Sequence, residues 1–348
     1  MKKIGILTSG GDAPGLNAAI RGVVKSAKEL HNMETVGFYF GFGGLIDNNY
    51  TTISDTSGFL TKGGTMLKTS RIKPFKGENK DEKLRSILHN YRSHDLSALV
   101  VIGGNGTQKT AYSLQKELGL NIITLPKTID NDIAGTDVSF GFSSAVDIAT
   151  EAIDRIHSTA SSHNRVMVVE VMGHKAGWIG LHAGLSSGSD VILIPEIPFS
   201  FKRVYECINK RVEQKKDSTI ICVAEGAISL DEIELSISEL AGKRKFRSIG
   251  QRLARKIEKH TPYESRLTVL GYVQRGGSPN AFDRNLATIL GANVANLIEA
   301  ENFGNMVGYI DNKAQAIPLE QVAGFLNVVK KDNPVMEACR SIGISFGD

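Results

Sequence analysis

The sequence predicts an α/β protein of two domains, with mainly parallel sheets flanked by helices on both faces. Three observations carry this. Short β-rich runs alternate with helix-length segments, the rhythm of strand, crossover and parallel strand. Several of the apolar runs end in glycine-bearing loops, and in open parallel sheets ligands sit beyond the carboxyl ends of the strands. The chain has 348 residues, more than one hydrophobic core usually supports.

Taken in order, KIGILT precedes NAAIRGVVKSAKEL, LSALVVI precedes QKTAYSLQKEL, NRVMVVEV leads into a Gly-rich segment, and STIICVA leads into a variable one. The loops after these four runs are SGGDAPG, GGNGT, MGHKAG and EGA. A fifth apolar run, LTVLGYV at 267–273, ends in QRGGSPNAFDR. The pattern restarts around residues 140 to 145, which places a domain boundary there. No fixed-period repeat or low-complexity segment interrupts it.

Composition narrows the function classes. Hydrophobic residues make up 41% and charged residues 22%, the balance of an ordinary soluble protein. No uninterrupted apolar stretch reaches the roughly 18 residues of a membrane span, and the N-terminus lacks a signal-peptide pattern. A cytoplasmic protein without membrane contact is expected. Cys207, Cys222 and Cys339 are odd in number and widely spaced, which suits reduced thiols and neither a zinc nor a redox pair. The net charge is only +4, although KRKFRSIGQRLARKIEKH, residues 243–260, is basic. A solvated helix face or an anion-facing subunit contact explains that run better than nucleic acid does.

Five segments carry possible chemistry. SGGDAPGLNAAI, 9–20, follows a strand and opens a helix, so its backbone N–H groups can take an anion. It has neither the ending of a P-loop nor the glycine spacing of a dinucleotide fold, and a tight turn capped by Asp12 fits it equally well. GGNGTQKT has the same context and the same two readings. In LPKTIDNDIAG, 125–135, Asp130 and Asp132 stand two apart after the apolar strand NIITL. Alternate residues of an extended segment point the same way, which suits a base beside a metal; an Asx-turn pair fits the spacing as well. HNRVMVVEVMGHKAGWIG sets Arg165 before a strand and Met172, Gly173 and His174 after it. ESRLTVLGYVQRGGSPNAFDR sets Arg266 before a strand and Tyr272 and Arg275 beyond it. Three arginines can form a fork-like clamp for a phosphate dianion, although surface arginines are common.

TSGGDAPGLNAAIRG, GGTMLKTSR, GGNGT, PKTIDND, VEVMGHKAG, AEGA and LGYVQRGGSP occur in that order between residues 8 and 279. The series closely resembles the 6-phosphofructokinase family, of the bacterial type. The resemblance implies two Rossmann-like domains with the active site in the cleft between them. The donor domain would comprise 1–141 plus about 275–327, and the fructose 6-phosphate domain about 142–274 plus 328–348. It implies transfer of a phosphoryl group to the 1-hydroxyl of fructose 6-phosphate, with Mg2+ as cofactor. That chemistry needs held donor phosphates, a base for the hydroxyl and cations for the charge on the moving group.

By the same resemblance Asp130 is the base, Thr128 contacts the incoming phosphoryl group, and Asp132 supports the base and the metal region. Arg71 bridges donor and acceptor phosphates, and Lys127 lies beside the transferred group. Gly11, Ile72, Lys73, Gly104, Asn105, Gly106 and Thr107 line the donor site. Thr128, Asp130, Arg165, Met172, Gly173, His174, Glu225, Arg266, Tyr272 and Arg275 hold the sugar phosphate. In the family the counterparts of Arg165 and Arg266 reach across a subunit interface, which implies a homo-oligomer, a tetramer or dimer.

The departures from the family pattern carry information. His174 stands where many members have arginine and Tyr272 where many have histidine, which lowers the positive charge around the sugar phosphate. Pyrophosphate users typically have aspartate at the position of Gly106 and lysine at that of Lys127, whereas common bacterial ATP users have glycine at both. This chain has one of each. An aspartate at 106 would occupy and repel the α-phosphate, so Gly106 favours ATP; a pyrophosphate-dependent, reversible enzyme is the alternative. Asn105 replaces an acid that helps hold Mg2+, and a raised Mg2+ requirement is expected. Of a basic effector cluster known in bacterial relatives, Arg21, Lys25 and Lys216 match, but Ile53, His157 and Gln214 replace basic residues. A weakened or missing effector response follows. A non-catalytic, ligand-sensing subunit is the reading from another class, opposed by the survival of Asp130, Asp132, Arg71, Arg165, Glu225 and Arg266.

Overall fold

The structure, a computed structural model, describes residues 1–233 and 248–348. The first five residues of the basic run 243–260 lie outside the described residues; Ser248 caps the helix Ile249–His260 that follows. Eleven strands are present among the described residues: β1 Lys3–Ser9, β2 Glu34–Phe38, β3 Tyr50–Thr52, β4 Leu96–Gly103, β5 Ile122–Pro126, β6 Val166–Val171, β7 Val191–Leu193, β8 Thr219–Ala224, β9 Ser265–Val269, β10 Asn305–Ile310 and β11 Lys313–Pro318.

The chain divides into two compact units, Met1–Ser144 with Arg275–Asn327, and Ala145–Gln274 with Val328–Asp348. The first unit holds a seven-stranded sheet in the order β11-β10-β5-β4-β1-β2-β3. Its five central strands pair in parallel, and β3 and β11 close the two edges antiparallel. β5 is buried along its whole length and β4 at all but one residue, as expected of strands covered on both faces. On one face the helices Leu16–His31 and Ala281–Glu299 lie with their backbones almost touching. A Cβ at Gly22 would come 2.9 Å from the Thr288 carbonyl oxygen, and one at Gly291 would come 2.5 Å from that of Ala19. Small residues at the crossing let both helices bury Ile20, Val23, Leu290 and Val294 over the sheet.

The second unit holds four parallel strands in the order β7-β8-β6-β9. β6 and β8 are wholly buried, and Cys222 lies in β8 as a buried thiol whose ionisation burial pushes up to about 12.

Two local expectations are corrected. The run 267–273 is not one strand: β9 ends at Val269, Gly271 takes a positive φ of 53°, and Gly271–Arg275 forms a 3-10 turn. Glycine has no Cβ to oppose that left-handed conformation. GGNGT is not a separate loop either. Gly104 caps a helix that runs from Asn105 to Leu118, so Asn105, Gly106 and Thr107 form its first turn.

Candidate active site

In the first unit the glycine-rich turn after β1, the first turn of the helix Asn105–Leu118, and the segment after β5 all follow the carboxyl ends of adjacent strands. The turn after β1 is held from three sides. The backbone N–H of Gly10 donates to the Ser70 carbonyl at 2.9 Å, and Thr69 Oγ1 donates to the Gly10 carbonyl at 2.7 Å. Lys127 Nζ donates to the Gly11 carbonyl. Arg275 Nη1 donates to the Asp12 carbonyl at 3.1 Å, and the same guanidinium would meet a Cβ at Gly11 at 3.0 Å. Arg275, assigned above with the sugar-phosphate set, is thus placed against the turn after β1.

The helix Asn105–Leu118 points its N-terminus into this region; the Thr107 N–H donates back to the Gly104 carbonyl at 2.9 Å, and the N–H groups that open a helix have no acceptor in a preceding turn. Together with the positive end of the helix dipole they favour an anion. Gly106 is exposed, and a Cβ built on it would meet nothing within 4 Å. Thr107 turns inward instead: its Oγ1 donates to the Ser9 carbonyl at 3.3 Å, tying the helix start to the end of β1. Asn105 Nδ2 donates to the Phe325 carbonyl at 2.5 Å.

Lys127 carries a strongly perturbed charge. Only 3% of the residue is exposed. Burial, and next the nearby Arg275, bring its ammonium down from 10.5 to about 8, with Asp12, Asp130 and Asp132 opposing the shift. Asp130 and Asp132 therefore lie within electrostatic reach of the amine. The extended segment expected for these two acids is not what forms. Asn131 between them takes a positive φ of 50°, a conformation Asn tolerates better than most residues. Its buried side chain staples the turn, accepting from the Ser139 N–H at 2.9 Å and donating to the Asp137 carbonyl at 3.3 Å. Asp130 and Asp132 are half-buried and alternate with the buried Ile129, Asn131 and Ile133. Thr128 Oγ1 accepts the Asp130 N–H at 3.1 Å.

Arg71, Ile72 and Lys73 are exposed on the segment whose Ser70 carbonyl holds Gly10. Ile72 Cδ1 would meet a Cβ at Gly43 at 2.7 Å, so its side chain lies over that glycine.

In the second unit the predicted residues divide between the two ends of the sheet. Met172, Gly173 and His174 follow β6, Glu225 follows β8, and Tyr272 follows β9. Gly226 permits the first two loops to meet, because a Cβ there would lie 2.1 Å from the His174 carbonyl oxygen. Buried Gln274 joins the third: its Oε1 accepts the Met172 N–H at 3.2 Å and its Nε2 donates to the Gly271 carbonyl at 3.0 Å. His174 is exposed, and Tyr272 is 76% exposed.

Arg165 precedes β6, and Arg266 is the second residue of β9. Both engage one carboxylate. Arg165 Nε donates to Glu264 at 2.5 Å, and Arg266 pairs with the other oxygen of Glu264 and with Glu258 at 3.0 Å. Six residues of β6 separate this end of the sheet from Met172, about 20 Å at strand rise.

Of the effector-cluster positions, Ile53 is buried in the core, where its Cδ1 would lie 2.8 Å from a Cβ at Gly37. His157 Nε2 is bonded to the Ser187 carbonyl at 2.7 Å.

Asn131, Gln274, Glu264 and the Phe325–Asn327 segment were not expected to matter. Glu264, one residue from Ser265 and two from Arg266, had a signal in the sequence as an acid beside an expected phosphate clamp; the others had none. Among the described residues no group of three or more His, Cys, Asp and Glu side chains is arranged to hold a metal, and no helix is long and apolar enough to cross a membrane.

The model of the family described as Phosphofructokinase matches residues 3–298. An ATP-dependent 6-phosphofructokinase of Spirochaeta thermophila is 51% identical over 100% of this chain and 98% of its own. A pyrophosphate–fructose 6-phosphate 1-phosphotransferase of Amycolatopsis methanolica is 43% identical over 94% of this chain and 96% of its own. The solved phosphofructokinase of Saccharomyces cerevisiae superposes with a TM-score of 0.77 at 32% identity, covering 92% of this chain; the match spans 45% of that longer chain. With turns, helix start and acids in the family's order and the family model covering most of its length, the chain belongs to the phosphofructokinase family.

Proposed function

We infer that the chain transfers the γ-phosphoryl group of ATP to the 1-hydroxyl of D-fructose 6-phosphate, giving fructose 1,6-bisphosphate and ADP. The observation that carries ATP as donor is the open space at Gly106, where nothing stands within 4 Å of a Cβ position at the start of the donor helix. An acidic side chain there would face the α-phosphate; glycine leaves the volume to the nucleotide.

The residues divide the work as follows. The N–H groups of Asn105 and Gly106, which open the helix Asn105–Leu118, and the turn at Gly11 bind donor phosphates. Asp130 removes the proton from the sugar hydroxyl as that oxygen attacks. Thr128 and Arg71 meet the charge on the transferred group, and Asp132 supports Asp130. Two half-buried carboxylates and the Asn105 carbonyl oxygen are hard oxygen donors, which fits Mg2+, an ion that keeps several waters and takes few protein ligands beside substrate phosphates. Asp132 and Asn105 would hold it, and it supplies neutralisation of donor-phosphate charge when bound. Met172, Gly173, His174, Glu225 and Tyr272 bind the sugar.

Arg165 and Arg266 supply the phosphate clamp from a second copy of the chain. Support for this comes from their position about 20 Å from the other sugar-binding residues of their own unit. The complete enzyme is a homo-oligomer, and it acts in the cytoplasm.

One observation favours pyrophosphate instead: the Lys127 amine at the Gly11 carbonyl, inside the donor region. A purified chain supplied with fructose 6-phosphate, Mg2+ and either donor decides between them. Turnover with ATP and none above background with pyrophosphate is expected. The reverse result overturns the donor assignment, and no turnover with either overturns the enzyme.

A further inference from the structure

A short span of chain links the first turn of the donor helix to the acid-bearing turn. At one end Asn105 Nδ2 donates to the Phe325 carbonyl at 2.5 Å. In the middle Leu326 forms an isolated antiparallel bridge with Ile133. At the other end Asn327 donates twice, from its backbone N–H to the Asp132 carbonyl at 3.0 Å and from its side-chain amide to the Asn131 carbonyl at 3.0 Å. Apolar packing contributes little at the Asn105 end, since Phe325 is 58% and Leu326 38% exposed. The polar bonds hold the span.

The chemistry at position 105 follows. The Phe325 carbonyl only accepts, so its partner has to donate. An asparagine amide does; an ionised aspartate has acceptor oxygens alone and would face the carbonyl with like partial charge. In a chain whose family resemblance leads one to expect an acid here, the amide has a use that the acid cannot serve.

On the phosphotransferase reading above, we propose that Asn105 and Asn327 are positioning residues: through Phe325–Asn327 they fix the turn bearing Asp130 and Asp132 relative to the donor helix. Asn105 does this in addition to facing the water shell of a metal. The acid-bearing turn is then set for in-line transfer by a bond that starts on the donor side, so loss of either amide lowers turnover more than binding.

Four proteins test this: wild type, Asn105→Asp, Asn327→Ala and the double variant, each checked for an unaltered thermal midpoint. Hydrogen exchange followed by mass spectrometry reads the peptides around 325–329 and 129–134. Faster exchange in both peptides is expected for Asn105→Asp. Steady-state kinetics at saturating Mg2+ should show kcat down about tenfold in each single variant, the scale of one lost hydrogen bond, with both KM values within about threefold. The double variant should be no worse than the poorer single one, because both cut the same link.

Unchanged exchange in Asn105→Asp overturns the link. Changed exchange with unchanged kcat overturns its role in positioning, as does multiplication of the two single effects in the double variant. A kcat raised by Asn105→Asp makes residue 105 a metal contact and nothing more. A wild-type chain that turns over neither donor sinks the phosphotransferase reading and the positioning role together, while the exchange data still decide whether Asn105 holds the span.

Discussion

The two units treat their expected site residues differently. In the first, three loops at neighbouring strand ends are braced by buried or half-buried side chains: Lys127 and Arg275 hold the turn after β1, Thr107 ties the helix Asn105–Leu118 to β1, and Asn131 staples the acid-bearing turn. In the second, Met172, Glu225 and Tyr272 cluster after the strands while Arg165 and Arg266 sit at the opposite ends, joined by Glu264. A parallel sheet explains the contrast. Its carboxyl ends converge on one ligand, and a residue placed before a strand is carried to the far edge by the strand's own length. On the proposed function, the donor half of the reaction would be assembled within one chain, and the sugar-phosphate half would draw its arginines from another.

Removing the base gives the largest break in this comparison. Asp130→Asn should lower kcat by about a hundred- to ten-thousand-fold with little change in KM for fructose 6-phosphate, because a general base acts on the transition state. Steady-state assays read both, and unchanged turnover would remove Asp130 from the mechanism.

Arg266→Ala breaks the other half. A charge-assisted hydrogen bond contributes roughly 1.5–3 kcal/mol, so KM for fructose 6-phosphate should rise by about ten- to a hundredfold while KM for ATP stays put. Sharing between copies gives a second readout. Arg266→Ala mixed with Glu225→Gln under conditions that exchange subunits should recover activity that neither has alone. If mixing restores nothing, each chain builds its own sugar site.

The two halves also differ in how much of them the sequence made legible. GGNGT and TIDND lie next to strong apolar strands, and local patterns of that kind mark loops at strand ends without any knowledge of tertiary structure. The positive φ at Asn131 and the helix start at Asn105 were missed because Asn serves turn, cap and first-turn positions alike. Partnerships across long sequence distances were invisible: Asn105 with Phe325, 220 positions apart, and Met172 with Gln274, 102 apart. Each needs a pairing of one ordinary polar residue with a backbone group, and neither leaves a pattern. The far-edge placement of Arg165 and Arg266 follows from strand direction once the strands are known, and their joint hold on Glu264 does not.

Lys127 should make the donor half pH-sensitive in a way the sugar half is not. Its folded pKa of about 8 lies below the ordinary 10.5. The free protein thus loses this cation as pH rises through about 8, and kcat/KM for ATP should fall by up to about tenfold on that limb. Lys127→Met should remove the limb and start from a lower value. Stability runs the other way: because the folded pKa is the lower one, the buried ammonium opposes folding at pH below about 8, and the penalty fades as pH climbs from about 8 towards 10.5. A thermal midpoint in Lys127→Met that exceeds wild type at pH 7, by a margin that shrinks at pH 9.5, checks the sign. A kcat/KM profile flat from pH 7 to 9.5 in wild type contradicts it.

Gly106→Ala sharpens the comparison with the smallest change. Gly103 and Gly226 have no room for a Cβ, which would lie 2.5 Å from the Thr107 side chain and 2.1 Å from the His174 carbonyl oxygen respectively; Gly106 has open space and a helical first-turn position. Alanine there removes backbone entropy from the unfolded chain without strain, so stability should rise by up to about 1 kcal/mol. The added methyl points into volume assigned to the nucleotide, so KM for ATP should rise a few-fold while KM for fructose 6-phosphate holds. A denaturation midpoint that rises with KM for ATP unchanged would mean that the space at Gly106 is solvent and not part of the donor site, and ATP would lose its strongest structural argument.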